Sequence, residues 1–126
     1  MKFFKKQKKT KEQIMTEKKL MWVHEHTKFM LYVDEVDLMH DHKLLLEGAL
    51  SSGIVKPEDV YKAVNFYGDT IGKLKILSSH MSKQGVFQGS VHTGDYEKIE
   101  AEIVEGEGEA FRRASMLVDA DMEEFK

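Results

Sequence analysis

The residues best suited to chemistry in this chain are its histidines. Six occur in 126 residues, and four of them fall in His24-Glu25-His26 and His40-Asp41-His42, which mirror each other about Val33. Imidazole changes charge near neutral pH and ligates zinc and non-haem iron. On a helix, the two rings of each triplet point about 200° apart, so neither triplet holds one ion through both rings. His26 and His40 share a helical face but stand about 21 Å apart, too far for one ion within one chain. Asp37 and His40, three residues apart, are better placed as two ligands of the same ion. The candidate ligand set is therefore His26, Asp37, His40, His42 and His80, with iron or zinc as the metal that suits imidazole and carboxylate in a helical bundle. The competing expectation is a set of hydrogen-bonded histidines along an apolar stripe, with no cofactor.

Other chemistries are excluded more firmly. Without cysteine there are no disulfides, thiolate zinc fingers, iron–sulfur clusters or cysteine nucleophiles. No G-x-S-x-G, Walker loop, dinucleotide fingerprint or H-E-x-x-H occurs. Glu105-Gly106-Glu107-Gly108-Glu109 carries the wrong charge to cradle phosphate. No complete catalytic set is present, so the expectation is a protein that is not an enzyme.

The elements that must position these residues read as helical. Thr10 followed by Gln13 is a capping-box pattern that starts a helix near residue 11, with no strong breaker before Gly48. Pro57 with Glu58-Asp59 starts a second helix, striped by Val60, Val64, Tyr67, Ile71, Leu74 and Met81. Gly85, Gly89 and Gly94 mark residues 84–94 as a loop. A third helix runs from Asp95 through Tyr96, Ile99, Ile103, Gly106, Ala110, Arg113 and Leu117, against which the alternation Ile99, Ala101, Ile103 offers a strand. The expected fold is all-α, with three to four long helices in a bundle. Residues 1–10 form a basic flexible tail and 11–126 a single domain.

The first helix is over-long. Forty residues of helix span roughly 60 Å, whereas a compact domain of this size has a radius of gyration near 14 Å. Trp22, His26, Phe29, Val33, Val36, His40 and Leu44 fall within one helical sector of about 80°. A stripe of that length predicts a homo-oligomer, with the helix pairing antiparallel to its copy about Val33 and His26 opposite His40; a break between 24 and 34 is the alternative. Charge is segregated as well. Residues 1–19 hold eight lysines against Glu12 and Glu17, a balance of +6, and residues 95–126 hold eleven carboxylates against four cations, −7, in a chain of net charge −3. The basic segment, with Phe3 and Phe4, could touch nucleic acid or an anionic membrane. Lysine without arginine argues against base-specific readout.

Two segments resemble hemerythrin-like domains. Asp37-Leu38-Met39-His40-Asp41-His42-Lys43-Leu44-Leu45-Leu46 is similar to that family's first helix, with His42 at the ligand histidine. Ser79-His80-Met81-Ser82-Lys83-Gln84-Gly85-Val86-Phe87 is similar to its second-helix motif, with His80 at the histidine and Gln84 where glutamate belongs. The family's later histidines are unmatched, with Ile99 and Ile103 at comparable spacing. The resemblance covers roughly 37–105 and implies a four-helix fold with a lost or rebuilt diiron site.

The function expected from sequence is a non-enzymatic helical interaction protein that self-associates and binds a protein partner. The alternative is a non-haem metal-binding bundle with a storage, sensing or redox role. No apolar run is long enough for a transmembrane helix, and the charged N-terminus lacks an apolar signal core, so a cytoplasmic location is expected.

Overall fold

A computed structural model describes residues 9–87 and 90–125. The chain begins with helix α1 (Lys11–His26), followed by strands β1 (Met30–Leu38), β2 (Lys43–Ser52), β3 (Val60–Asn65), β4 (Thr70–Phe87) and β5 (Ser90–Glu105). A 3-10 helix (Gly108–Arg113) then leads into β6 (Ala114–Asp119). The strands close into an antiparallel barrel in the order β1-β2-β5-β4-β3-β6, with β6 returning to β1.

Alternate side chains fill the barrel. Leu31, Leu44, Leu46, Ala63, Leu74, Ile76, Ile99, Ala101 and Leu117 point inward and are almost fully buried. Phe29 stacks on Tyr61 at 4.1 Å at one end, and Phe111 of the 3-10 helix is buried near Gly72 at the other. A second apolar cluster lies outside the barrel, where α1 covers β1, β6 and β3. It joins Val23, Met30, Val64, Met116, Val118 and Met122, with Leu20 and Tyr32 at its edge. Burying Val23 there contributes about 1.5–3 kcal/mol. β4 and β5 continue past the barrel as a two-stranded arm, paired out to Phe87 and Ser90.

The all-α bundle is therefore corrected to a β-barrel carrying one α-helix. The capping box is real: the Thr10 side chain accepts from the Gln13 backbone and the Gln13 side chain accepts from the Thr10 N–H. The helix ends at His26, within the alternative break of 24–34 and far short of Gly48. Thr27 is extended, and the Asp119 carboxylate accepts the N–H groups of Lys28 (2.7 Å) and Phe29 (2.8 Å), which turns the chain into β1. Beyond that joint Phe29, Leu31 and Val33 alternate into the barrel. A bulge at Asp34 shifts the phase, so that Val36 and Leu38 resume the inward side. Residues 29, 33 and 36 thus imitate helical spacing although the segment is a strand.

The second expected helix is β3 and β4. Of its stripe, Val64 faces the outer cluster, Leu74 the barrel interior, and Tyr67 is exposed in the connecting turn. The third is β5, the 3-10 helix and β6, and the Ile99–Ala101–Ile103 alternation is that of a strand. Within the segment read as a loop, Gln84 pairs with Thr93 and Val86 with Val91. The hemerythrin-like resemblance fails with the helices: His42 lies in a turn and His80 on β4. Self-association through a long first helix fails too, because Val33 lies in β1 opposite Gly48 with its side chain in the barrel. Most of the expected basic tail, up to residue 8, lies outside the described residues. Among the described residues, no helix is long and apolar enough to cross a membrane.

Candidate functional site

Because the barrel interior is filled by side chains, binding falls to the outer surface. The most exposed large aromatic pair there is Phe66 and Tyr67, 62% and 65% exposed, in the turn between β3 and β4. The turn is locked. Asn65 N–H donates to Asp69 O (3.0 Å) and Gly68 N–H to Asn65 O (3.1 Å). The Asn65 side-chain oxygen accepts from the N–H groups of both Tyr67 (2.9 Å) and Asp69 (3.0 Å). Asn at the first position of such a turn closes it through its own carbonyl, which is why Asn65 stands there.

Helix α1 holds the turn from the side. Gly68 has φ +81, a conformation that glycine adopts without steric cost, and an added Cβ would collide with Lys19. The Lys19 ammonium pairs with Asp69 at 2.6 Å. The two rings are thus held outward by a braced turn. Burying either would have stabilised the fold by about 2 kcal/mol, yet the braced turn keeps both in solvent. Between the turn and the first half of α1 runs a groove of about 390 Å³ lined by Lys9, Glu12, Gln13, Thr16, Glu17 and the two rings. Lys9 neutralises Glu17 across it at 2.5 Å. Lys11 and Lys18 are exposed on the opposite side of the same helix.

The residues singled out in sequence are dispersed. His26 ends α1, where its ring stacks on Trp22 at 3.8 Å and its Nδ1 donates to the Trp22 carbonyl. His24 Nδ1 donates to the Leu20 carbonyl and its Nε2 meets the Tyr32 hydroxyl at 3.1 Å. Asp37 is exposed near the end of β1, and His40 and His42 lie in the turn that follows. His80 pairs with Lys98 of β5, whereas the His42 carbonyl accepts from Ile103, five residues or about 17 Å further along that strand. Among the described residues no three His, Asp or Glu side chains gather as a metal site, so the metal-binding bundle is corrected together with its fold.

No protein-family model matches this sequence, and no curated protein or solved structure is significantly similar to it. The site therefore rests on geometry alone. Sequence reasoning placed Tyr67 in an apolar stripe and passed over Phe66. The signal that could have found them was the turn chemistry of Asn65 with Gly68-Asp69 between two apolar runs.

Proposed function

We propose that this domain is a non-catalytic binding module for single-stranded nucleic acid. Phe66 and Tyr67 stack against bases, and Lys9 at the groove and Lys19 at the turn meet phosphates. The observation that carries this reading is the outward bracing of two adjacent aromatic rings beside a lysine-bearing helix. Every base offers a flat face to such a platform, and stacking contributes about 1–3 kcal/mol per base. The cations of residues 1–19 are all lysines, which suits attraction to a phosphate backbone without base readout.

The arrangement suits bases better than lipid. Ile14, Met15 and Met21, the exposed large apolar residues of α1, lie roughly 110–130° round the helix from the face that lines the groove. They share no plane with Phe66 and Tyr67 in which all could enter a bilayer.

Fluorescence anisotropy with a labelled mixed-sequence 15-nucleotide strand tests the reading. Binding should weaken with salt, by about 0.7 in log affinity per log salt for each phosphate met. Tyr67→Ala should weaken it about tenfold without changing the circular dichroism spectrum. Absence of binding at low salt, or undiminished binding by the Phe66→Ala/Tyr67→Ala double variant, overturns the proposal. Binding to phosphatidylserine vesicles in place of the strand also overturns it and identifies a membrane surface.

A further inference from the structure

The chain after β6 folds back along β3, where the Glu124 carboxylate meets a lysine and a threonine. Lys62 points outward from β3 yet its side chain is only 9% exposed, and its ammonium donates to the Met122 carbonyl at 2.5 Å and to Glu124 at 3.1 Å. The Thr70 hydroxyl meets both oxygens of the same Glu124 carboxylate, at 2.8 and 3.1 Å. Two donors from neighbouring strands thus converge on one oxyanion, and the chain supplies its own. Lys73 lines the same cleft, held at 3.6 Å by Glu105. The Glu124 side chain is 57% exposed, so it can leave without opening the core.

A buried ammonium favours whichever anion reaches it, and Thr70 is three residues from Tyr67 at the start of β4. We propose that Lys62 and Thr70 form a phosphate subsite of the strand-binding surface, with Glu124 as an internal anion that a nucleic-acid phosphate displaces. The proposal rests on the reading of Phe66 and Tyr67 as a base platform. A tethered carboxylate competes at an effective concentration in the millimolar range. Removing its charge therefore opens the subsite, and the buried Lys62 ammonium is left to attract an external anion.

The test uses the full chain with Glu124→Gln, Thr70→Val and the double variant, each checked for a retained cooperative melting transition. Glu124→Gln should bind the 15-nucleotide strand about fivefold more tightly, and Thr70→Val should cancel that gain. Inorganic phosphate should shift the amide resonances of Lys62 and Thr70 in Glu124→Gln at concentrations that leave the wild type unchanged. Unaltered strand affinity in Glu124→Gln, while Tyr67→Ala still weakens binding, overturns the subsite and leaves the base platform standing. Phosphate shifts in Glu124→Gln with no strand binding by any variant support the anion site and overturn the base platform. Identical phosphate responses in wild type and Glu124→Gln overturn the competition by Glu124.

Discussion

Substituting Asp119 by alanine should detach helix α1 from the barrel entrance. Asp119 closes β6, and its carboxylate accepts two backbone N–H groups, from Lys28 at 2.7 Å and Phe29 at 2.8 Å. Those two groups lie where α1 has ended and β1 has not begun, so neither has a helical or sheet partner. Hydrogen bonds to a charged acceptor contribute about 1.5–3 kcal/mol each. Asp119 is half-buried, which places each at the lower end and predicts a loss of about 3 kcal/mol for Asp119→Ala. Asp119→Asn keeps one acceptor oxygen and should lose about half as much. The bond from the Asp119 N–H to the Thr27 hydroxyl (3.1 Å) belongs to the backbone and survives both changes. Urea unfolding followed by circular dichroism gives the loss, and Trp22 fluorescence reports α1 separately. A loss below about 0.5 kcal/mol for Asp119→Ala would refute the reasoning that this long-range contact ends the helix at His26.

Asp41 and His42 adopt φ 60 and 59 in the β1–β2 turn, a left-handed conformation that disfavours side chains, so His42→Gly should stabilise the fold by about 1 kcal/mol in urea unfolding. Leu74, fully buried in the barrel, should cost about 2–5 kcal/mol when truncated to alanine, measured the same way. Burial, a hydrogen bond to Asp34 (2.9 Å) and nearby carboxylates push the Tyr96 hydroxyl above its usual value of 10.0, and burial with Asp59 raises Tyr61. The folded state holds these protons more tightly than the unfolded chain. The stability they contribute is fully present below pH 10 and is lost as pH rises towards the raised values. An ultraviolet titration compared with Tyr61→Phe and Tyr96→Phe should place both ionisations above pH 10, and ionisation of either at the ordinary value would contradict this.

The parts legible in sequence were local. The Thr10–Gln13 capping box needs only four residues, and it starts α1 where expected. The helix end depends on Asp119, about ninety residues away, and no window around His26 contains it. The strands were hidden by their bulges. In β1 the phase change at Asp34 turns a period of two into the three-four spacing of Phe29, Val33 and Val36. In β3 the cause differs: Tyr61 and Ala63 face the barrel and Val64 the outer cluster, but both faces are buried, so no alternation of polar and apolar residues shows. β5 has the unbroken run Ile99, Ala101, Ile103, and there the strand reading stood beside the helical one. The Phe66–Tyr67 site was obscured by the same error, because counting Tyr67 into a helical stripe made an exposed turn residue read as core. The Lys62–Thr70–Glu124 cluster joins three segments and leaves no signal at any single spacing.

A ring-proton spectrum of Phe66 and Tyr67 during titration with the unlabelled 15-nucleotide strand tests whether bases stack on the β3–β4 turn. Stacked bases shield the rings beneath them. The ring signals of Phe66 and Tyr67 should therefore move upfield together and saturate with the anisotropy curve, while the buried rings of Phe29 and Phe111 stay in place. Saturated binding with Phe66 and Tyr67 unmoved would contradict the account.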